Sequence, residues 1–173
     1  MLSLDDIARD LSQKGNPLWK RVVLLFGRSF LDEKGYLKRR KLASIVFRSW
    51  RMLFLLNSLA HPLLFWETVR RLYRTKGEAV VIDGAVLFEA GFCPLLDFLL
   101  FVDAPLGHRL ERLREQGLRE REIILRVKNQ KFLGCLRRRA SKVLSNDTSL
   151  ESLKREVSQA VRDWLSLEIE YGA

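Results

Sequence analysis

Residues 98–103 read Phe-Leu-Leu-Phe-Val-Asp, and residues 79–83 read Ala-Val-Val-Ile-Asp. Short apolar runs without alternation are typical of strands that are covered on both faces of a parallel sheet. Residues 142–144, Lys-Val-Leu, predict a third short strand. Because most of the remaining chain has helical periodicity, the sequence predicts an α/β fold with a parallel sheet.

The apolar spacing around these strands predicts a largely helical chain. The predicted helices cover residues 3–11, 19–26, 39–48, 51–60, 62–75, 105–115, 119–136 and 150–170. The predicted strands cover only about 12 of the 173 residues, well below the usual fifth to quarter of a globular domain. A parallel sheet this small lacks neighbours for its strands, so we expect part of the sheet to be missing from this chain.

Length and composition indicate one globular domain over residues 1–173. Lys and Arg number 31 against 21 Asp and Glu, which gives a net charge of +10, and 47% of the residues are apolar. The two cysteines, Cys93 and Cys135, lack metal-site spacing and are expected to be free thiols. The longest apolar stretch, residues 52–66, is interrupted by polar residues and proline, and no secretory signal is evident. We therefore expect a cytoplasmic protein without a membrane partner.

Acidic residues cluster around the ends of the two longer predicted strands. They are Asp83, Glu89, Asp97 and Asp103. Carboxylates at strand ends can orient a hydroxyl nucleophile or hold Mg²⁺ beside a phosphate, but acids in solvated turns are also common. Asp5 has the same ambiguity, because an acid in the first turn of a helix is ordinary capping. The sequence alone leaves both interpretations open.

Two basic segments favour an anionic partner. Residues 38–41, Lys-Arg-Arg-Lys, stand at the start of a predicted helix, where a bound phosphate or pyrophosphate would offset their unfavourable interaction with the helix dipole. A merely soluble basic turn fits equally well. Seven cations between residues 126 and 142 have no acid among them, which suits either a nucleotide or nucleic acid. The residues around 109–122 carry nearly balanced charges and predict a solvated helix surface.

Other chemistries have little support in the sequence. The two histidines, His61 and His108, suggest no metal site, and no G-x-S-x-G sequence organises a hydrolase.

The ordered motifs of the chain resemble those of the dephospho-coenzyme A kinases, a family of P-loop kinases. Asp5-Asp6-Ile7-Ala8-Arg9, Gly15-Asn16-Pro17 and Phe26-Gly27 resemble the family's D-x-I-A-R, P-G-x-P and F-G. The next matches are Gly35, Leu37, Arg39, Leu42, Val46-Phe47, His61-Pro62 and Leu87-Phe88-Glu89-x-Gly91. The last are Gln130, Ala140, Val143-Leu144, Asn146, Ser149 and Leu153. Each is weak alone, but their order over nearly the whole chain is highly specific.

The resemblance implies a role for nine residues. It implies that Asp5 activates the ribose 3′-hydroxyl of dephospho-CoA, which ATP phosphorylates in the last step of coenzyme A biosynthesis, with Mg²⁺ as cofactor. The positions that shape the acceptor pocket are Arg39, His61, Leu87, Phe88 and Glu89. Arg112 or Arg114 corresponds to a lid arginine, and Asn146 lies near adenine. The implied fold is a three-layer α/β/α P-loop kinase, with a helical substrate lobe over about residues 14–76 and lid helices over about residues 105–139.

The chain also departs from the family pattern. Ser3, Ala85 and Ser141 replace an acid, a proline and an aspartate, and the spacing around Arg112 and Arg114 slips by one residue. The sequence contains no G-x-x-x-x-G-K-[ST] loop to hold ATP phosphates. We therefore expect a kinase truncated at its N-terminus, without its central first strand and with little or no ATP-dependent activity as written. The alternatives are a basic nucleic-acid-binding protein without catalysis and a degenerate kinase that acts as a binding subunit.

Overall fold

A computed structural model of the chain describes residues 1–46, 48–129, 133–147 and 149–171. The chain divides into two compact units, Met1–Pro94 and Leu95–Ala173. The prediction of one domain with a substrate lobe and lid helices stays a prediction. Phe47 and Gln130, which belong to the matched motifs, lie outside the described residues.

The Met1–Pro94 unit is mainly helical. Its elements are β1 (Leu2–Ser3), α1 (Leu4–Leu11), α2 (Pro17–Phe26), a 3-10 turn (Arg28–Phe30), α3 (Arg39–Val46), α4 (Trp50–Leu72) and β2 (Ile82–Asp83). A second 3-10 turn, Cys93–Leu95, leads out of this unit. The Leu95–Ala173 unit contains β3 (Leu100–Asp103), α5 (Leu106–Glu115), α6 (Glu120–Asn129), α7 (Leu133–Arg139), β4 (Lys142–Ser145) and α8 (Leu150–Tyr171).

Each unit contains one pair of parallel strands. In the first unit β1 pairs with β2, so that Ser3 lies opposite Asp83. In the second unit β3 pairs with β4, from Leu100 opposite Lys142 to Asp103 opposite Ser145. The parallel arrangement and the α/β class are confirmed. Strand β1 is not among the predicted strands, because it is two residues long and has no apolar run of its own.

Helix α1 begins where the sequence predicts. Ser3 has extended backbone angles, and its hydroxyl accepts a hydrogen bond from the amide of Asp6 at 3.3 Å. This cap satisfies one of the amides that a first turn leaves unpaired. Leu4 and Ile7 are each 1% exposed, so that α1 presents a closely packed apolar side to its unit.

The chain after β2 passes directly beside the first turn of α1. A β-carbon at Gly84 would lie 2.7 Å from Leu4 Cδ1, which is closer than two carbon atoms approach. Glycine is therefore the residue that fits between β2 and α1. Gly84, which follows Asp83, therefore packs against Leu4, which precedes Asp5.

The structure corrects the prediction of two helices over residues 51–60 and 62–75. Pro62 lies inside one continuous helix, α4, which runs from Trp50 to Leu72. Proline removes one amide from the helix ladder. Here α4 packs against α1, α2 and α3, and these tertiary contacts support the helix on both sides of the proline. By length and composition alone α4 could also span a membrane, and 11% of its most apolar 18-residue window is buried.

The helices of the second unit follow the predicted pattern with one difference. The predicted helix over residues 119–136 corresponds to α6 and α7, and residues 130–132 between them lie outside the described part of the chain. Ile123 of α6, Leu136 of α7 and Leu144 of β4 are 3% exposed or less. On α8, the ring of Trp164 stacks on Phe98 with centroids 5.6 Å apart. These contacts form the apolar core of the unit.

An ion-pair network joins α4 to α1. The Glu67 carboxylate accepts hydrogen bonds from Arg70 at 2.7 and 2.8 Å and from Arg71 Nε at 2.8 Å. Arg71 Nη2 also reaches Asp10 Oδ2 of α1 at 2.9 Å. The hydrogen bonds from Arg70 and then Arg71 outweigh burial and lower the pKa of Glu67 from 4.5 to about 2. The network therefore stabilises the folded unit wherever Glu67 is ionised.

Glu67→Gln should lower the free energy of unfolding by about 1–2 kcal/mol at neutral pH, after allowance for solvent screening. A carboxyl group with a lowered pKa stabilises the fold above its unfolded pKa and loses this contribution as it becomes protonated. The deficit should thus shrink as the pH falls from 4.5 towards 2. Urea unfolding over this pH range measures it. Glu78→Gln, at an exposed position, is the control, and a deficit independent of pH would contradict the assignment.

Candidate functional site

The carboxyl edge of the β1–β2 pair carries two candidate acids. Ser3 and Asp83 end the two strands opposite each other, and Asp5 lies in the first turn of α1 directly after β1. Asp5 is exposed, and within the described residues its carboxylate makes no hydrogen bond or ion pair. It is thus free to accept a proton from a bound hydroxyl group.

Arg39 contacts the same face of α1 that carries Asp5. Its Nη2 donates to Ser12 Oγ at 2.6 Å and to the carbonyl oxygen of Arg9 at 3.2 Å. In a helix of 3.6 residues per turn, residues 5, 9 and 12 share one face. The contacted residues lie about 6–10 Å along the axis from Asp5, at a rise of 1.5 Å per residue. Helix geometry therefore places Asp5 and the two residues that Arg39 contacts along one side of α1.

A tight turn before α3 fixes the backbone of Arg39. The Asp32 carboxylate accepts hydrogen bonds from the amides of Lys34 and Tyr36 at 3.0 and 2.8 Å. Trp19 Nε1 of α2 donates to the carbonyl oxygen of Gly35 at 3.0 Å. These bonds fix the turn that leads into the basic residues 38–41. Helix α3 begins at Arg39, as predicted.

His61 of α4 contacts Glu89, so that two predicted pocket residues meet. His61 Nδ1 lies 3.1 Å from the Glu89 carbonyl oxygen. A carbonyl can only accept, so Nδ1 carries the hydrogen and the neutral ring presents Nε2 as an acceptor. Burial lowers the pKa of His61 below 6.5, although the Glu89 carbonyl and carboxylate act in the opposite direction. The imidazole is therefore neutral at pH 7.

The residues around Glu89 form a compact turn after β2. The amide of Gly91 donates to the Phe88 carbonyl at 3.1 Å, and Gly91 has a φ of +84°, a conformation that favours glycine. Leu87 is 7% exposed, and Phe88 is half-buried. Glu89 Oε2 is buried without a hydrogen-bond partner in the described part of the chain. Such an oxygen requires a donor, which a ligand or water can supply.

In the Leu95–Ala173 unit, Arg112 and Asn146 are in contact. Arg112 Nη2 of α5 lies 3.2 Å from Asn146 Oδ1 and 3.3 Å from its carbonyl oxygen. Asn146 directly follows β4, and its amide donates to the Asp103 carbonyl at the end of β3. Arg114 instead forms an exposed ion pair of 2.6 Å with Glu120, and this hydrogen bond lowers the pKa of Glu120. Of the two candidate arginines, Arg112 lies at the strand ends.

The basic segment over residues 126–142 is not free of acidic partners in space. Arg137 Nε donates to Asp103 Oδ2 at 3.1 Å, although the two residues are 34 positions apart. In the sequence Arg137 is only one member of a cationic run, because its contact with Asp103 depends on α7 lying beside β3. Asp103, Arg112, Arg137 and Asn146 thus gather at the carboxyl edge of the β3–β4 pair.

The structure brings the predicted residues together in three groups. Arg39 contacts α1, the helix that carries Asp5; His61 meets Glu89; and Arg112 meets Asn146. No hydrogen bond or ion pair within the described ranges joins Asp5 to Glu89. Ser12 was not among the predicted residues. A hydroxyl at the predicted end of α1 was its only sequence signal.

The family model described as "Dephospho-CoA kinase" matches residues 1–152. The chain is 32% identical over 168 residues to the Bacillus cereus (strain ZK / E33L) "Dephospho-CoA kinase", a match that covers 95% of this chain and 84% of the relative. It is 35% identical over 166 residues to the protein of that name from Corynebacterium diphtheriae, with coverage of 92% and 83%.

Solved structures show the same similarity. The crystal structure of TT1252 from Thermus thermophilus matches with a TM-score of 0.73 and 29% identity, over 94% of this chain and 83% of that chain. The "Dephospho-CoA kinase from Campylobacter jejuni" matches with a TM-score of 0.63 and 18% identity, over 99% and 85% of the two chains. The second likeness bears on the fold alone.

His61 should titrate below pH 6.5, because burial disfavours its charged form. Proton NMR of the imidazole resonances measures the midpoint, and His61→Gln assigns the signal. Since the unfolded chain takes up this proton more readily, stability should fall as the pH drops through 6.5. A midpoint at or above 6.5 would show that the Glu89 interactions outweigh burial.

Proposed function

Because the chain belongs to the dephospho-CoA kinase family, transferases of coenzyme A biosynthesis with a P-loop kinase fold, we propose that its residues serve the binding of dephospho-CoA and ATP and the phosphorylation of the ribose 3′-hydroxyl. The sequence as written contains no G-x-x-x-x-G-K-[ST] loop to hold the ATP phosphates, so we expect little or no ATP-dependent activity from this chain alone. The observation that carries this proposal is the family match over residues 1–152, because that range contains all nine residues to which the family resemblance gives a role.

Asp5 is the proposed base of the transfer. The 3′-oxygen attacks the γ-phosphorus of ATP, the bond from the γ-phosphorus to its bridging oxygen breaks, and ADP leaves. Asp5 accepts the hydroxyl proton, and its exposed, unpaired carboxylate at the end of β1 supports this role. General base assistance of this kind contributes about 10²–10⁴-fold to a rate.

Arg39 is the proposed ligand of the dephospho-CoA diphosphate. Guanidinium groups bind phosphate oxygens with charge-assisted hydrogen bonds, and the neighbouring Lys38 and Arg40 are also exposed cations. The residues that Arg39 contacts lie about 6–10 Å along α1 from Asp5, which suits a nucleotide whose 3′-hydroxyl is near Asp5 and whose diphosphate is near Arg39.

His61 and Glu89, with Leu87 and Phe88, form the proposed wall of the acceptor pocket. His61 Nε2 is an acceptor in the neutral ring, and the buried Glu89 Oε2 also requires a donor. This wall therefore suits hydroxyl, amine or amide groups of the substrate better than its phosphates.

Arg112 is the proposed ATP-side arginine of the two candidates. It is held beside Asn146 at the carboxyl edge of β3 and β4, where ligands of α/β proteins commonly bind. A guanidinium group there can neutralise the charge that builds up on phosphoryl oxygens during transfer. Arg114 is occupied by Glu120 at the surface.

Mg²⁺ is the proposed cofactor of the reaction. In kinases this ion uses only one or two protein carboxylates together with phosphate oxygens and water. The described residues contain no cluster of three potential metal ligands, but the exposed Asp5 and Asp83 at one sheet edge fit the smaller requirement. When bound, the ion supplies positive charge for the phosphates of ATP.

The two free cysteines fit a reducing compartment, so we also propose the cytoplasm as the site of action.

Binding of dephospho-CoA tests the acceptor site directly, since it does not depend on ATP. Titration calorimetry should show 1:1 binding, and Arg39→Ala should weaken it about 10- to 100-fold, as expected for loss of a charge-assisted hydrogen bond. Arg74→Ala removes an exposed cation after α4 and is the matched control. Equal affinities of the Arg39 and Arg74 variants, or no binding at all, would refute the acceptor assignment.

Arg112 and Arg114 provide an internal comparison for the nucleotide side. Arg112→Ala should weaken binding of a fluorescent ATP analogue about tenfold, because it removes a charge at the proposed phosphates. Arg114→Ala breaks an exposed ion pair worth at most about 1 kcal/mol and should leave affinity within about twofold. If Arg114→Ala weakened binding of the ATP analogue more than Arg112→Ala did, the role would belong to Arg114.

A further inference from the structure

Ser12 at the end of α1 holds the guanidinium group of Arg39 through a closed set of hydrogen bonds. Its Oγ donates to the Arg9 carbonyl oxygen at 2.9 Å and accepts from Arg39 Nη2 at 2.6 Å. Arg39 Nη2 also donates to the same carbonyl oxygen at 3.2 Å. Three groups on two helices therefore fix one another.

The serine hydroxyl can point in only one useful direction here. It has a single hydrogen, and this hydrogen is engaged by the Arg9 carbonyl oxygen, so a lone pair faces Arg39. Ser12 is also the C-terminal cap of α1, where the carbonyl ends of the helix favour a cation. Both effects draw the guanidinium group to one position on α1.

The same contacts leave part of Arg39 available for a ligand. The side chain has five N–H donors, and the two on Nη2 point to Ser12 and Arg9. Within the described part of the chain, the donors on Nε and Nη1 make no hydrogen bond and are available to an anion. A guanidinium group that is already oriented loses less conformational entropy when it binds an anion than one that moves freely.

We propose that Ser12 is a positioning residue that orients Arg39 towards the diphosphate of the acceptor nucleotide. This inference rests on the proposed function of Arg39 and adds a residue that acts only through it. Ser12 and Arg39 are joined at an exposed part of the surface, and such bonds contribute little to stability. Loss of the hydroxyl should therefore change ligand binding much more than folding.

The experiment is a double-mutant cycle on the full chain, with calorimetry of dephospho-CoA binding and thermal unfolding as its two readouts. Ser12→Ala should weaken binding about three- to tenfold and leave Tm nearly unchanged, because one oriented hydrogen bond is lost. Ser12→Thr keeps the hydroxyl and should restore affinity to within about twofold. In the Arg39→Ala background, Ser12→Ala should have no further effect.

The outcomes separate this inference from the proposed function. If Arg39→Ala leaves binding intact, the assigned role of Arg39 is wrong and the inference is lost with it. If Arg39→Ala weakens binding but Ser12→Ala does not, only the inference is wrong. An equal loss on Ser12→Ala with and without Arg39, or a loss that Ser12→Thr fails to restore, would also overturn it.

Discussion

The proposed acceptor site depends on how helix α1 is held at its two ends. At its start, pairing of β1 with β2 and the Ser3 cap fix the first turn, and Leu4 packs against Gly84. At its end, Arg39 and Arg71 dock on residues of the last turn and the cap. The short helix α1 thus carries the Asp5 carboxylate near its start and binds the Arg39 side chain of α3 at its end. Because a helix is rigid over two turns, the backbone of α1 sets the separation between Asp5 and the atoms that hold the Arg39 side chain.

Local signals were sufficient for much of the fold. The Ser3 cap, the end of α2 before Gly27 and the start of α3 at Arg39 are determined by neighbouring residues, and the structure has them where the sequence indicates. The apolar runs also indicated the parallel strands, but the expectation that both faces of these strands are covered was wrong, since Val102 of β3 and Val143 of β4 are 49% and 38% exposed. The motif order indicated the family, which local signals alone would not have given.

Contacts between distant residues account for what the sequence did not show. Pro62 was expected to separate two helices, but packing of α4 on three other helices maintains one. Arg137 had no acid near it in the sequence, yet Asp103 lies beside it once α7 packs on β3. Ser12 contacts Arg39 only because α3 packs near the end of α1. In each case the decisive partner is 27 or more positions away or belongs to another element.

The central claim is that Asp5 and Arg39 hold two ends of one nucleotide along α1. A crystal structure of the chain with dephospho-CoA tests it most directly. The account predicts the ribose 3′-oxygen within about 3 Å of an Asp5 carboxylate oxygen and a diphosphate oxygen on the Arg39 guanidinium group. A bound nucleotide with its ribose remote from Asp5, or with its diphosphate on other cations, would contradict it.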